Sequence, residues 1–500
     1  MNLEQAKTQF NEILEKIKAY EHSASLIYWD AAIGAPKKAV DNRAQILGIL
    51  SGEVFKLTVS EEMKQCLEAL EENEDRIDNV TKAIVREMHK EYDKLTKIPS
   101  NEYREYAELL GKSNVVWEEA KNKSDFSIFE PYLEKIISTL RKFVEYRGYN
   151  GHPYNTLLDD YEPGMTTEKL DKFFEDLKER IVPLVKKIKN SDKEIRTDFL
   201  TDFYNTKKQE EFSQYILDKI CFNKDAGMLK ESEHPFTINF TRDDVRITTH
   251  FYENNFMSAI FSTIHEGGHA IYEQNIGEDI AQTILGTGSS MGIHESQSRM
   301  YENVFGRNIN FWKYFYSKLC ETFPSQLSNV SLNEFYEAIN RTENSLIRIE
   351  ADELTYSLHI MVRYEIEKML IEGKVEVKDL PRVWNEKMEE YLGIIPPNDK
   401  VGVLQDVHWS DGLFGYFPSY ALGNAYASQF EHTMRKTLDV DKLLLEGKFD
   451  KILEWLKENI HKHGSMKKPY EILKEVTGEE LNSTYFIKYL QKKYQKLYNV

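Results

Sequence analysis

Helix-breaking residues are scarce in this chain, with only 13 prolines and 24 glycines spread over 500 residues. Through the first two hundred residues, apolar side chains recur at steps of three and four between charged ones, as in EEMKQCLEALEENEDRIDNVTKAIVREMHKEYDKL. This period is typical of helices with one buried and one solvated face. Since neither a fixed repeat nor a low-complexity linker divides the chain, we predict a mainly α fold in one body.

The pattern changes beyond Cys221. The segments HPFTINF and DVRITTHF carry β-branched and aromatic residues in near alternation, separated by the polar Thr241, Arg242 and Asp243. This alternation predicts a small β-hairpin at about residues 235–252. Helices are expected to resume after it, interrupted by turn-rich stretches at 286–292 and 393–402.

Charge and cysteine content exclude several classes of function. The formal net charge is −18 and the isoelectric point is near 5.4, so the chain repels phosphate backbones and anionic membrane surfaces. Three widely spaced cysteines do not form a disulfide framework and are typical of a reducing compartment. No run of apolar residues is long enough to span a bilayer, and the start lacks the apolar core of a signal peptide. We therefore expect a cytoplasmic protein without nucleic-acid or membrane partners.

One segment, NNFMSAIFSTIHEGGHAIYEQ, combines a buried helical stripe with two histidines. The stripe falls at steps of four and three and consists of Met257, Phe261, Ile264, Gly268 and Ile271. His265 and His269 lie on the neighbouring stripe, one helical turn apart, so both imidazoles can face one metal ion. Glu266 is rotated away from that line and can reach a water held by the metal, as a general base must.

This H-E-x-x-H pattern has a structural alternative, in which both histidines are buried and hydrogen-bonded to the backbone. Gly267 and Gly268 argue against it, because each weakens a helix interior by about 1 kcal/mol relative to alanine. Close approach of another group would explain that cost.

A third ligand is needed, because catalytic zinc takes three protein ligands and a water. Glu295 is the candidate, since it follows the GTGSSMG turn where a new helix could start and return antiparallel to the first. His294 cannot share its direction and is expected to support a ligand from outside the coordination sphere. No Lys-Ser/Thr follows the glycine-rich turn, which disfavours a phosphate site.

A hydrated zinc with a carboxylate base performs hydrolysis, with peptide bonds as the natural substrate. Charge that develops on the tetrahedral oxygen calls for a further donor, which a histidine or tyrosine elsewhere in the chain could supply. The ligand types favour zinc but also suit cobalt, so we expect one divalent metal of either kind.

The chain resembles the zinc carboxypeptidases of the carboxypeptidase Taq, or thermostable carboxypeptidase, family. The resemblance rests on five segments in the family's order: HEGGH (265–269), HESQ (294–297), IRIEADELTY (347–356), GVLQDVHW (402–409) and YALGNAYASQ (420–429). Four more are similar upstream: YWD (28–30), NRAQ (42–45), HPFT (234–237) and DVRITT (244–249). The similarity thus extends over nearly the whole chain.

This resemblance implies a large helical gluzincin fold, similar to neurolysin and angiotensin-converting enzyme, with a deep groove and one small β-sheet beside the active site. We expect a single peptidase domain over 1–500. Its helical part at about 1–220 would form one wall of the groove, and the part at about 221–500 would carry the metal site. The family further implies a homodimer that removes single C-terminal residues from peptides with broad preference and poor action on proline.

By position in the family segments, His265, His269 and Glu295 resemble the metal ligands and Glu266 the base. We assign Arg348 to the terminal carboxylate of the substrate, because a guanidinium can clamp a carboxylate with two parallel bonds. An ordinary salt bridge to an acidic neighbour is the alternative.

The remaining assignments from the resemblance concern hydrogen bonding. His234, His408 and Tyr420 are expected to donate to the substrate carbonyl or carboxylate, although His408 could equally be a packing residue. Asp352 and Asp406 are expected to orient a ligand histidine or to anchor a helix. No chemical context surrounds a further group, which we expect in solvent: His22, His89, His432, His461 and His463.

Two other functions stay open. An endo-oligopeptidase on the same helical frame would use every metal ligand but would need no receptor for a terminal carboxylate. An interaction scaffold would keep the helices and leave HEGGH without a catalytic role.

Overall fold

The computed structural model describes all 500 residues, Met1 to Val500, and confirms a mainly α fold with one small sheet. The α-helices are α1 (Leu3–Ile33), α2 (Val40–Thr58), α3 (Glu61–Glu71), α4 (Asn79–Thr96), α5 (Ser100–Lys123), α6 (Phe126–Arg147), α7 (Tyr154–Leu158), α8 (Thr167–Lys189), α9 (Thr206–Lys219), α10 (Phe256–Gln274), α11 (Met291–Arg299), α12 (Ile309–Thr322), α13 (Pro324–Leu327), α14 (Leu332–Ile339), α15 (Glu353–Glu372), α16 (Leu380–Leu392), α17 (Pro418–Met434), α18 (Val440–Glu446), α19 (Phe449–Asn459), α20 (Pro469–Thr477) and α21 (Thr484–Tyr498). None of these helices has the length and apolar character that crossing a membrane requires.

Shorter helical segments join these elements. A π-helix, Met300–Phe305, continues α11 directly. The 3₁₀ segments are Lys37–Ala39, Glu74–Arg76, Asp198–Thr201, Arg348–Glu350, Val377–Asp379, Asp399–Val401 and His461–Met466.

The sheet has three strands, β1 (Gly227–Glu231), β2 (Thr237–Thr241) and β3 (Asp244–Thr249), in the order β1-β3-β2. β2 and β3 are antiparallel and confirm the predicted hairpin, whereas β1 pairs with β3 in parallel. The sequence analysis missed β1 because only Leu229 of its five residues is buried, so the strand shows no alternation. β2 lies at an edge of the sheet.

The buried apolar residues form two clusters. The larger extends from α5 to α21 and surrounds the segments that carry the predicted ligands. The smaller unites α1, α3 and α4 with Ile276, Ile280 and Leu285, which belong to the connection between α10 and α11. The N-terminal helices therefore pack against the chain segment that links the two ligand-bearing helices. The proposed division of the single domain near residue 220 stays a prediction.

Glycines allow α11 to approach α10 closely and α17 to approach α11 closely. A Cβ on Gly268 would lie 2.8 Å from the backbone of Gln297 in α11. A Cβ on Gly423 in α17 would lie 2.4 Å from Cγ of Glu295. Both distances are below van der Waals contact, so alanine at either position would displace a neighbour. The predicted reason for Gly268, close approach of another group, is confirmed.

Candidate active site

Helix α10 carries two half-buried imidazoles on one face. His265 and His269 are one turn apart, and their ring centroids are 4.9 Å apart. Glu295 enters from α11, and its Oε2 lies 3.7 Å from Nε2 of His265 and 3.4 Å from Nε2 of His269. The three ligand atoms lie within 4.8 Å of one another. Two imidazole nitrogens and a carboxylate oxygen at this separation match the donor set of a catalytic divalent metal.

The other ring nitrogens of these histidines are held from behind. His265 donates through Nδ1 to Glu302 at 2.9 Å. Nδ1 of His269 lies 2.5 Å from Nδ1 of His294, whose Nε2 donates to Glu273 at 2.7 Å. These bonds leave both Nε2 atoms facing Glu295. His294 thus contacts the predicted ligand His269, as its expected supporting position requires.

The surrounding charges keep the carboxylates ionised. Burial alone would raise the pKa of Glu295, but Arg299 and His265 hold it well below its usual range. Burial is likewise outweighed at Glu302, where Arg299 and His265 lower the pKa to about 2. Burial lowers the pKa of His269 to about 3. A neutral imidazole and an ionised carboxylate are the protonation states in which these side chains bind metals.

Glu266 is only 7% exposed and lies on α10 between the two histidines. Its Oε2 accepts a hydrogen bond of 2.6 Å from the hydroxyl of Thr237 on β2. Burial raises the pKa of this carboxyl, although His265 and the Thr237 bond oppose the effect. A raised pKa brings a carboxylate closer to the proton affinity that a general base needs near neutral pH.

A second cluster surrounds Arg348, which is 5% exposed. Its Nε donates to Asp406 at 2.9 Å, and Arg363 donates to the other oxygen of the same carboxylate at 2.7 Å. Nη1 of Arg348 donates to the hydroxyl of Tyr356 at 3.1 Å. Two guanidinium groups sharing one carboxylate leave a net positive charge. Asp406 thus pairs with two arginines and contacts no ligand histidine.

His408 and Tyr420 lie beside this cluster. Nε2 of His408 is 3.3 Å from the Tyr420 hydroxyl, and the Arg348 guanidinium is 5.1 Å from the Tyr420 ring centroid. Burial, helped by Arg348, lowers the pKa of His408 to about 4, so the ring is neutral at neutral pH. His234 is not part of either cluster, because it lies exposed in the loop between β1 and β2.

Arg299 and Tyr356 connect the two clusters. Arg299 donates to Glu295 at 2.7 Å and to Glu302 at 3.0 Å, and its guanidinium stacks 4.5 Å from the Tyr356 ring centroid. The hydroxyl of Tyr356 in turn accepts from Arg348. Arg299 therefore contacts the predicted metal ligand Glu295 directly, and it reaches Arg348 through the ring and hydroxyl of Tyr356.

Several of these residues were missed by the sequence analysis. Glu302, Arg299 and Arg363 carried no signal, because charged residues on helices are ordinarily solvated. Tyr356 and Thr237 stand inside family-like segments, which could have marked them.

Asp352 accepts from the backbone N–H groups of Leu354 and Thr355 at the start of α15, so the predicted role in anchoring a helix is confirmed.

The expectation for His461 was wrong. This residue is fully buried, with Nε2 2.9 Å from Oε1 of Gln297 and its ring 5.0 Å from that of Tyr272. Burial lowers its pKa to about 3, so the imidazole is neutral and packs behind α10 and α11. Its local sequence is polar, and only the packing of the 3₁₀ segment against these helices removes it from water.

Glu367 anchors the loop that carries Asp406 and His408. This fully buried carboxylate accepts from Tyr154 at 2.5 Å, from Trp409 at 2.8 Å and from the backbone of Gly415 at 2.9 Å. Burial raises its pKa to about 7 despite these bonds. The folded protein therefore holds this proton at a pH where the unfolded chain has lost it.

We expect Glu367→Gln to remove one pH-dependent contribution to stability. A folded pKa of about 7 against an ordinary 4.5 means that the Glu367 contribution declines as the pH rises through this window. The free energy of unfolding of the glutamine variant, relative to the parent, should therefore increase by about 3 kcal/mol between pH 4.5 and pH 8. Urea unfolding of both proteins across this range measures it. A constant difference would show that Glu367 ionises normally.

Known proteins are similar to this chain over nearly its whole length. The family model "Carboxypeptidase Taq (M32) metallopeptidase" matches residues 9–494. Carboxypeptidase 1 of Bacillus subtilis is 48% identical over 499 residues, covering 100% of each chain. Thermostable carboxypeptidase 1 of Thermus thermophilus is 38% identical over 486 residues, covering 95% of each. The crystal structure of the M32 carboxypeptidase from Deinococcus radiodurans superimposes with a TM-score of 0.94 at 33% identity, covering 99% of this chain and 100% of that one.

Proposed function

This chain belongs to the carboxypeptidase Taq (M32) metallopeptidase family, and on that premise we propose that it releases single C-terminal amino acids from peptides. Membership makes it a metallocarboxypeptidase, a peptide hydrolase. The release of single C-terminal amino acids is supported by the convergence of His265, His269 and Glu295 beside Glu266. A net-positive arginine cluster lies nearby. We assign the first three as metal ligands and Glu266 as the general base.

The ligand set suits zinc best and also suits cobalt, with one ion per chain. A divalent metal bound there supplies Lewis-acid chemistry, since it lowers the pKa of a coordinated water and polarises a carbonyl. Glu302 and His294 hold the two imidazoles so that each presents Nε2 to the site. Arg299 keeps Glu295 ionised and oriented.

Glu266 moves the proton of the reaction. Its carboxylate takes a proton from the attacking water and delivers it to the nitrogen of the leaving amino acid. Oε2 is held by Thr237, and the other oxygen has no protein hydrogen-bond partner. Burial supports this role, because it raises the pKa of the carboxyl.

Arg348 is proposed to bind the terminal carboxylate of the substrate. The shared pairing with Asp406 orients its guanidinium, and Arg363 leaves the cluster with one uncompensated positive charge. A substrate carboxylate would neutralise that charge. His408 and Tyr420 are proposed as neighbouring donors to the substrate, and His234 as a donor from the loop before β2.

The family resemblance supports four further proposals. These are broad preference for the released residue, poor action on proline, assembly as a homodimer, and a cytoplasmic location. The last is also supported by Cys66, Cys221 and Cys320, none of which forms a disulfide.

The direct test compares an N-blocked dipeptide with its C-terminally amidated twin. Amidation removes the negative charge that the arginine cluster would bind, so kcat/KM is expected to fall by about thirtyfold, the value of a charged hydrogen bond. Product formation is followed by mass spectrometry. The free acid serves as the control, because both peptides present the same scissile bond.

Equal cleavage of the two dipeptides would contradict the carboxylate receptor. Internal fragments from a longer peptide blocked at both ends would favour the endo-oligopeptidase. Successive loss of single C-terminal residues from the same sequence with a free carboxylate supports the carboxypeptidase.

A further inference from the structure

Strand β2 presents one face to helix α10. Side chains alternate along a strand, so Thr237 and Asn239 point to the same side. Both reach carboxylates of α10: Thr237 contacts Glu266, and Asn239 donates to Glu273 at 2.9 Å. This edge strand therefore contacts α10 at two carboxylates seven residues apart.

The hydroxyl of Thr237 has two acceptors on the same residue. It lies 2.6 Å from Oε2 of Glu266 and 3.1 Å from the backbone oxygen of Glu266. A hydroxyl has one proton, and the charge-assisted bond to the carboxylate is the shorter and stronger of the two. The hydroxyl thus donates mainly to the side chain.

Thr237 is the single protein group that donates a hydrogen bond to the Glu266 carboxylate. A glutamate side chain has several rotamers of similar energy, and nothing else polar restrains this one. We propose that Thr237 is a positioning residue, which holds Oε2 of Glu266 so that the other carboxylate oxygen faces the reacting water. The inference rests on the assignment of Glu266 as the base.

The position of the Glu266 carboxylate affects the rate of proton transfer. A base displaced by about 1 Å can lose up to a hundredfold in rate, because proton transfer depends steeply on geometry. The Thr237 hydroxyl bonds Glu266 alone among the protein groups. Loss of the Thr237 hydroxyl is therefore expected to affect kcat and to leave KM unchanged.

The same face of β2 also supports the metal side of the site. Asn239 fixes Glu273, which accepts from His294, which contacts His269. Two positions on one strand thus reach the base and the support of one predicted ligand. These two contacts join the small sheet to α10 beside the predicted ligands.

Thr237→Val and Thr237→Ser test the proposal as a pair. Valine keeps the shape of threonine and removes the hydroxyl, so kcat should fall about thirtyfold, the value of one lost bond to a charged group. Serine keeps the hydroxyl and should restore most of that loss. KM and bound metal by elemental analysis should stay at parental values in both. If the valine variant fails to fold, Thr237→Ala replaces it with the same expectation.

Thr241→Val is the matched control, since its hydroxyl accepts from the Asp243 backbone at the turn and makes no hydrogen bond to α10. An unchanged kcat in Thr237→Val would overturn the positioning role, as would equal losses in the valine and serine variants. Glu266→Gln measured alongside distinguishes failure of the positioning role of Thr237 from failure of the assignment of Glu266 as the base. If that variant is inactive while Thr237→Val is fully active, only the positioning role fails. If Glu266→Gln is active, the assignment of the base fails.

Discussion

Glu266→Gln is expected to lower kcat by about a thousandfold, within the range that general acid–base catalysis contributes. Glutamine has nearly the same shape as glutamate but cannot take a proton from water. Oε2 of Glu266 accepts from Thr237, and the amide oxygen of glutamine can accept that same bond, so the local structure should persist. Steady-state hydrolysis of the N-blocked dipeptide measures the loss.

Metal content decides how this result is interpreted. The glutamine variant should bind metal as the parent does, because Glu266 is not one of the three converging ligand residues. Glu278→Gln is the control, since that side chain is 91% exposed in the connection between α10 and α11. Unchanged hydrolysis in a metal-loaded Glu266→Gln protein would contradict the assignment and favour the scaffold alternative.

His269→Ala is expected to lose both metal and activity. Zinc sites with four ligands bind with about 10 to 16 kcal/mol, so one ligand contributes roughly 3 kcal/mol and its loss weakens binding roughly a hundredfold. Removing the ring also leaves Nδ1 of His294 without its partner. Chelator competition measures the affinity, and hydrolysis at buffered low free metal measures the activity.

His432→Ala provides the matched control for this change. His432 is exposed on α17 and stacks against Tyr485, so metal affinity and hydrolysis should both stay at parental values. A His269→Ala protein that binds metal as tightly as the parent would show that His269 is a packed core histidine. That outcome would restore the structural alternative to the H-E-x-x-H motif.

The helix that carries the histidines could be predicted because its signals are local. The apolar stripe from Met257 to Ile271 lies within α10, and the spacing of His265 and His269 places them on one face in any helix. The start of α11 was equally readable from the turn before it, with Ser290 as the residue that caps the helix. Strand β1 was missed because one buried residue in five produces no pattern.

Charged groups inside the site were harder to predict. Arg299 and Glu302 follow Glu295 at positions that read as ordinary helix surface, yet Glu302 is buried and Arg299 is half-buried between the two carboxylates. Arg348 was assigned from a family-like segment, but Asp406, which pairs with both Arg348 and Arg363, lies 58 and 43 residues further along the chain. His461 was expected in solvent and is buried. For Arg348 and His461, the partner that compensates the charge or covers the ring comes from another element.

The amino-acid sequence alone determined the helical character and the pairing of the two imidazoles, and it indicated Glu295 as the candidate third ligand. These features depend on spacing within one helix or on a short segment. Only the tertiary structure decided that Glu295 meets those imidazoles, that Thr237 holds Glu266, and that the arginine cluster carries a net positive charge. The physical reason is that local periodicity specifies which face of an element is buried. It does not specify which other element covers that face, and most hydrogen bonds of the site cross such boundaries.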